Sequence, residues 1–176
     1  MLIAIARALQ NPTMHTYVAV HAWVWPVCEI IHFIGMAMLF GTVGLLDLRM
    51  LGFGKGLPIR PIEQLVPLGV GGFAMNLFTG WIFVVGAPGG PFDYVENLAF
   101  LLKMLFIILA GVNVGLFYLT GTANAAHTIG PQEDAPLAAK IIAGTSLFLW
   151  IFVIYFGRMI MYSDAFYTPQ YYGLGL

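Results

Sequence analysis

Some ionisable residues lie within runs of the chain that are otherwise apolar enough to cross a lipid bilayer, among them Glu29, His32, Lys103 and Arg158. An ionisable side chain at bilayer depth is costly unless it has a partner, so it marks a functional site by default. Glu29 and His32 are three residues apart and therefore share one face of a helix. Neutral imidazole is an ordinary ligand of haem iron and copper, and it needs a neighbouring group to orient it. These residue types predict a cofactor or metal site at His32.

The composition predicts the kind of element that holds these residues. Of the 176 residues, 60% are hydrophobic and 9% are charged, whereas soluble domains carry roughly 25% charged residues. The chain is therefore expected to be an integral membrane protein. A net charge of -1 without a basic or acidic block argues against nucleic acid as a partner. The single cysteine, Cys28, cannot form an internal disulfide.

Four segments are long and apolar enough for a membrane-spanning helix, which needs about 20 residues. They cover residues 24–46, 65–85, 98–121 and 137–160. Short connections rich in glycine and proline separate them, so neighbouring helices should run antiparallel. The sequence predicts an all-α fold, an integral membrane up-and-down four-helix bundle in one domain, residues 1–176. Residues 1–12 are expected to form a short interfacial helix, and residues 162–176 form a tail.

Basic residues near the span ends predict the orientation of the helices, because loops rich in lysine and arginine stay in the cytoplasm. The first connection holds Arg49, Lys55 and Arg60. Lys140, at the start of the fourth span beside the third connection, adds to that side, whereas only Arg7 lies outside the spans on the other side. Both termini are therefore expected to lie outside the cytoplasm.

The distance of each ionisable residue from the end of its span predicts that these residues lie at one level of the membrane. At 1.5 Å per residue, His32 lies about 12 Å from the start of the first span and Lys103 about 8 Å from the start of the third, on the same side. Arg158 lies near that end of the fourth span, and Thr79 with Asn76 approaches its level on the second. The four helices are expected to contribute polar groups to one layer in the outer half. The alternative role for this layer is an ion-pair network, Glu29 with Lys103 or Arg158, that fixes the helices in register.

The other histidines are poor partners for His32. His21 lies eleven residues before His32, about 16 Å along a helix, so the two cannot bind one iron from opposite sides. His127 follows the third span at the opposite end of the bundle. The second axial position of a haem would therefore be vacant, or filled by Lys103, a methionine or another subunit.

Residues 25–35, with the sequence WPVCEIIHFIG, and the run DLR at residues 47–49 resemble the first span of a family of uncharacterised bacterial four-helix membrane proteins. The resemblance covers most of residues 15–162 and continues at Gly72, Phe73, Thr79, Gly80, Asn97, Phe100, Lys103, Asn113, Trp150, Gly157 and Arg158. That family is similar to the copper-resistance D membrane domain and to HemJ-type protoporphyrinogen oxidases. In those proteins a first-span histidine and a lysine that opens a later span accompany haem b. His32 and Lys103 match this pair, so the resemblance implies haem b and a bacterial inner membrane.

The leading hypothesis is a small membrane protein that binds haem b, either an electron-transfer subunit or an oxidoreductase component. His32 would be the axial ligand and Glu29 would orient or tune the site. Lys103 and Arg158 would neutralise haem propionates or occupy a coordination position, since axial ligation and nearby charge set the haem potential.

Two alternatives come from other classes. One is a non-catalytic accessory subunit that packs against other membrane subunits or a second copy, with residues 166–172 as docking material or an interfacial anchor. The other is copper or small-solute transport along a soft pathway of His32, Met36 and Met38. A hydrolase is not expected, because no nucleophile, base and orienting group recur at a suitable spacing.

Overall fold

The computed structural model describes residues 2–162, apart from the side chains of Leu2, Arg60 and His127. Over that range the backbone forms helices and no strand. In chain order the helices are α1 (Leu2–Leu9), α2 (Pro12–Val20), α3 (Val24–Leu51), α4 (Ile59–Glu63), α5 (Val66–Gly86), α6 (Pro91–Val95), α7 (Leu98–Leu119), α8 (Thr122–His127) and α9 (Leu137–Met159), followed by a 3₁₀ turn, Ile160–Tyr162. The predicted tail lies outside the described residues from residue 163 onward.

Four of these helices, α3, α5, α7 and α9, are long and apolar enough to cross a membrane. This confirms the expectation of an all-α membrane protein with several spanning helices. α3 is longer than predicted, because it continues past residue 46 to Leu51. Gly52 ends it with a left-handed backbone, φ 102°, that glycine adopts without steric cost. The other three helices begin and end within two residues of the predicted bounds.

Two short helices precede α3. The sequence predicted one helix that ends at Asn11 and Pro12, but these residues also begin a second helix, α2. The Asn11 side chain accepts a hydrogen bond from the Met14 amide (3.1 Å), and Pro12 lies in the first turn, where its missing N–H breaks no helical bond. α1 packs against α6, and α2 packs against α5. Residues 2–20 thus cover the end of the structure at which α3 begins, and their place at a membrane interface stays a prediction.

The long helices pack in the order α5, α3, α9, α7. α3 lies between α5 and α9, and α7 packs against α9. The contacts between α7 and α9 show an antiparallel pair. Asn97, before α7, donates to the Ile160 carbonyl after α9, and Asn113 near the end of α7 donates to the Ile142 carbonyl near the start of α9. Among the described residues α5 and α7 make little or no contact, which leaves a cleft between them.

Three clusters of buried apolar side chains follow one another along α3, around Val24, Leu39 and Met50. His32 lies between the first and second clusters, and Asp47 lies between the second and third. We call the corresponding parts of the helical assembly the His32 half and the Asp47 half. The His32 half contains the beginnings of α3 and α7 and the ends of α5 and α9.

Candidate functional site

His32 on α3 faces Thr79 on α5. The distance from His32 Nδ1 to Thr79 Oγ1 is 2.7 Å, and Thr79 is fully buried. The Thr79 hydroxyl donates to the Met75 carbonyl one turn earlier, also at 2.7 Å, as threonines in helices commonly do. A hydroxyl has one proton, so Thr79 must accept the hydrogen bond from His32 Nδ1–H. The network therefore assigns the tautomer in which His32 Nε2 carries a lone pair for a ligand.

Close approach of two glycines holds α3 and α5 together beside this contact. A β-carbon on Gly35 would lie 2.7 Å from the Gly72 carbonyl oxygen, and one on Gly72 would collide with the Gly35 carbonyl oxygen. Gly35 is three residues from His32, so the two backbones are fixed close to the histidine. Asn76 fills the same interface, where it donates to the Gly72 carbonyl at 3.0 Å. The side chain of His32 is thus oriented by a tightly packed pair of helices.

Lys103 on α7 is half-buried and approaches the same level of the structure. Its ammonium group lies close enough to His32 for an electrostatic interaction. The side chain passes over Gly157 on α9, where a β-carbon would lie 3.4 Å from Lys103 Nζ. Within residues 2–162 the ammonium group has no hydrogen-bond acceptor or carboxylate partner. The structure therefore brings together His32, Thr79 and Lys103, from α3, α5 and α7.

The structure does not bring the other two predicted residues into this group. Glu29 is exposed and accepts a hydrogen bond from Trp25 Nε1 at 3.2 Å, one turn away on the same helix. Arg158 is exposed and donates to the Tyr162 hydroxyl at 3.2 Å, with its guanidinium carbon 5.3 Å from the centre of that ring. Among the described residues neither forms the ion pair with Lys103 that the sequence allowed. Gly157, rather than Arg158, is the residue of α9 that faces Lys103.

Apolar side chains enclose the His32 group on both sides along the axis of α3. The ring of Phe83 lies 5.5 Å from the His32 ring, and Phe83 belongs to the cluster around Val24 that α2 covers. On the other side lies the cluster around Leu39. The imidazole and the ammonium group are therefore polar groups in an apolar layer, where electrostatic interactions are strong.

The donor set around His32 discriminates between a bare metal ion and haem. No group of three or more His, Cys, Asp or Glu side chains that could hold a metal ion converges in the part of the chain that the structure describes. A bare copper or zinc ion needs several protein ligands. Haem iron takes four nitrogens from the porphyrin and needs an axial ligand from the protein. One imidazole with a lone pair on Nε2, beside a cation that has no anionic partner within residues 2–162, fits haem better than a bare ion.

A cavity of about 520 Å³ occupies the cleft between α5 and α7 in the Asp47 half. Phe73 and Trp150, whose ring centres are 6.5 Å apart, meet edge to face at the boundary of the cavity nearest His32. Asp47 also lines the cavity and is 4% exposed. Reasoning from the sequence missed the cavity, because it depends on the distance between two helices. The available signal was Ser146 and Trp150, one turn apart in an apolar span at the depth of Asp47.

Arg49 has a structural role in the same half. It is 1% exposed, and its guanidinium donates to the carbonyls of Leu57 (2.7 Å), Gly130 (3.1 Å) and Glu133 (3.4 Å). These carbonyls belong to the loop between α3 and α4 and the loop between α8 and α9. Arg49 thus ties the two loops together beneath the spanning helices.

Comparison of the chain with known protein families, with curated proteins and with solved structures finds no match. The resemblance described from the sequence therefore stays a prediction. The functional conclusion depends on the geometry of the residues themselves.

Proposed function

We propose that this chain is a multi-pass membrane protein that binds haem b, with His32 Nε2 as an axial ligand of the iron. The observation that carries the proposal is the chain of hydrogen bonds from His32 to Thr79 to the Met75 carbonyl. Metal-binding histidines ordinarily donate their other ring N–H to an oxygen acceptor, which fixes the tautomer and the orientation of the ring. Thr79 supplies that acceptor from the neighbouring helix.

Lys103 supports the proposal through its charge. A cation without an anionic partner in an apolar layer is costly, and a propionate carboxylate would provide the partner. The ammonium group lies near His32, so it can neutralise an acidic group of a ligand held by the imidazole. Glu29 and Arg158, both exposed, would act at most at the edge of such a site.

Haem in this position would supply one-electron transfer at a potential set by its axial ligands and by nearby charge. The residues of the chain contribute binding and exclusion of water. His32 is held by Thr79, Lys103 contributes positive charge, and the clusters around Val24 and Leu39 keep the layer apolar. The function that suits this arrangement is that of an electron-transfer subunit or a component of an oxidoreductase.

We place the protein in a bacterial inner membrane as an up-and-down bundle, with both termini outside the cytoplasm and α1 at the interface. Support for this orientation comes from the Asp47 half, where the basic residues concentrate. Lys55 and Lys140 flank Asp134 there, with Nζ to Oδ1 distances of 3.0 and 3.1 Å. Arg49, near the end of α3, is a third basic residue of this half. An end of the bundle rich in lysine and arginine is typical of the cytoplasmic side.

The test is the absorption spectrum of the full chain, expressed with a haem supply and purified in detergent. We expect a Soret band that co-purifies in a fixed ratio to protein. His32→Ala should lose the band, whereas His21→Ala, which changes a partly buried histidine in the same half, should keep it. Equal helix content and elution volume for the two variants would show that both fold.

No Soret band in the wild type, even after haem is added, would contradict the proposal. A folded, haem-free protein that co-purifies with a redox complex would instead favour the accessory subunit. Stoichiometric copper in place of haem would favour the transport hypothesis.

A further inference from the structure

We propose that the cavity between α5 and α7 binds one acyl chain of a membrane phospholipid, from the leaflet at the Asp47 end of the structure. The cavity measures about 520 Å³, within the range of about 300–1,000 Å³ that small-molecule sites occupy. It lies in the Asp47 half, and His32 does not line it. This lipid site is therefore independent of the haem site proposed above.

The length of the cavity matches the depth of one leaflet. Its lining on α7 runs from Ile107 to Tyr118, about 16 Å of helix at 1.5 Å per residue. On α3 the lining covers the same length, from Leu39 to Met50. The hydrocarbon core of a bilayer is about 30 Å thick, so one leaflet contributes about half of that distance. An extended acyl chain of one leaflet therefore has the length that the cavity offers.

The two ends of the cavity differ as the two ends of a leaflet do. One end is lined by Glu63 of α4 and Ala126 of α8, which belong to the short helices before α5 and after α7. Tyr118 also lines this end, and tyrosine is enriched at membrane interfaces. At the other end the rings of Phe73 and Trp150 meet edge to face. The head group of the lipid would lie at the first end and the methyl end of its chain at the second.

The cavity opens sideways between two spanning helices. Val70 of α5 and Gly111 and Val114 of α7 line the cavity and are exposed. Among the described residues α5 and α7 make little or no contact with each other. A lipid chain can therefore enter from the surrounding bilayer without passing through water.

The polar residues in the lining offer no hydrogen bond to a ligand ring. The side chains of Thr42 and Asn113 donate to backbone carbonyls of the protein. Asp47 Oδ2 and Trp150 Nε1 have no partner among the described residues, but they are shielded so completely that no group in the cavity reaches them. The accessible wall is therefore mainly hydrocarbon. Such a wall loses dispersion contacts when nothing lies against it, and an acyl chain restores them.

Trp150 provides the optical signal for the test, because it lines the deep end of the cavity and is only 9% exposed. The full chain is placed in nanodiscs of phosphatidylcholine that carries bromine on its acyl chains, since bromine quenches tryptophan fluorescence at contact range. The emission of Trp150 is the difference between wild type and Trp150→Phe in the same lipid. We expect most of this emission to be lost, and more of it with bromine near the methyl end of the chain than near the carboxyl end.

Matched variants separate a chain in the cavity from the lipid around the protein. A β-carbon added at Gly111 or at Gly115 would meet no other atom within 4 Å, but only Gly111 lines the cavity. Gly111→Leu should protect Trp150 from quenching, and so should Val70→Phe on the opposite side of the opening. Gly115→Leu should leave the quenching unchanged. Unquenched Trp150 in the wild type, or full quenching in both Gly111→Leu and Val70→Phe, would overturn the proposal.

The mass of the bound molecule identifies the occupant. Native mass spectrometry of the full chain, released from nanodiscs of palmitoyl-oleoyl phosphatidylglycerol, should show one retained phospholipid in the wild type and in Gly115→Leu, and none in Gly111→Leu. A retained prenylated quinone in place of the phospholipid would overturn the proposal. A dimer that is lost in both leucine variants would also overturn it, because the cleft would then be an interface between two copies of the chain.

Discussion

The imidazole of His32 donates its Nδ1 proton to the hydroxyl of Thr79 across 2.7 Å, and this bond joins α3 to α5. The Thr79 hydroxyl donates its own hydrogen bond to the Met75 carbonyl, so the direction of both bonds is fixed. The result is a histidine whose second nitrogen is presented as an acceptor inside an apolar layer. This relationship is the basis on which we propose His32 as a haem ligand.

Replacing Thr79 tests the orienting role. Thr79→Val keeps the shape and removes the acceptor, so we expect haem affinity to fall about 10–100-fold, the usual cost of losing a partner of a metal-binding histidine. Thr79→Ser keeps the hydroxyl and should retain most of the affinity. Haem titration of the purified proteins measures both constants. Similar affinities for Val and Ser at this position would show that the hydroxyl does not orient the imidazole.

If haem binds as proposed, Lys103 should raise its reduction potential, because a nearby positive charge stabilises the electron-rich ferrous state. Lys103→Met is therefore expected to lower the midpoint potential in a redox titration. Arg158→Met removes an equal charge from an exposed site and should change the potential less. The reverse order of the two shifts would place the effective cation at Arg158 instead.

The contact between Gly72 and Gly35 should tolerate no side chain. Gly72→Ala forces a β-carbon into the Gly35 carbonyl oxygen, and we expect a loss of about 1–3 kcal/mol of stability. Gly80→Ala lies on the same helix, where an added β-carbon meets nothing within 4 Å, and should be neutral. Thermal unfolding in detergent compares the two variants. Equal unfolding midpoints for the two variants would show that the close contact between Gly35 and Gly72 does not contribute to stability.

Arg49 should be needed for the fold rather than for ligand binding. Arg49→Ala leaves three carbonyls of two loops without their buried donor, at a cost of about 2–4 kcal/mol. Lys55→Ala removes an ion pair of an exposed carboxylate and should cost much less. Unfolding midpoints measure the difference. Comparable losses for the two variants would contradict the role of Arg49 in tying the loops together.

Asp134 should stabilise the folded protein at neutral pH, and this contribution should be lost in acid. Hydrogen bonds from Lys55 and Lys140 hold the pKa of its carboxyl below the ordinary value of 3.8. A lowered pKa in the folded state stabilises the protein above the pKa of the unfolded chain, and this contribution is lost as the pH falls through the folded pKa. Asp134→Asn should therefore be less stable than wild type at pH 6, and the difference should shrink below pH 3.8. A difference that is constant with pH would exclude this origin.

The spanning helices could be predicted because length and apolarity alone decide whether a segment can cross a bilayer. The end of α3 could not be predicted in this way. An arginine at the end of an apolar span is expected to contact water, but Arg49 is buried against loop carbonyls. Only the folded loops supply those acceptors.

The sequence predicted at which level of the helices the candidate-site residues lie, but not in which direction their side chains point. Counting along the helices put His32, Thr79 and Lys103 at one level, and the structure brings these three together. The direction of a side chain depends on helix rotation, which tertiary packing sets. One residue turns the helix by about 100°, so Gly157 faces Lys103 while the adjacent Arg158 points outward.

Ligand replacement at His32 tests the axial ligation most directly. His32→Gly should lose the Soret band of the wild type, and free imidazole should restore it by entering the space that the side chain leaves. The same addition should have no effect on His21→Gly. A His32→Gly protein that keeps the wild-type spectrum without imidazole would show that another residue binds the iron, and would contradict the proposed role of His32.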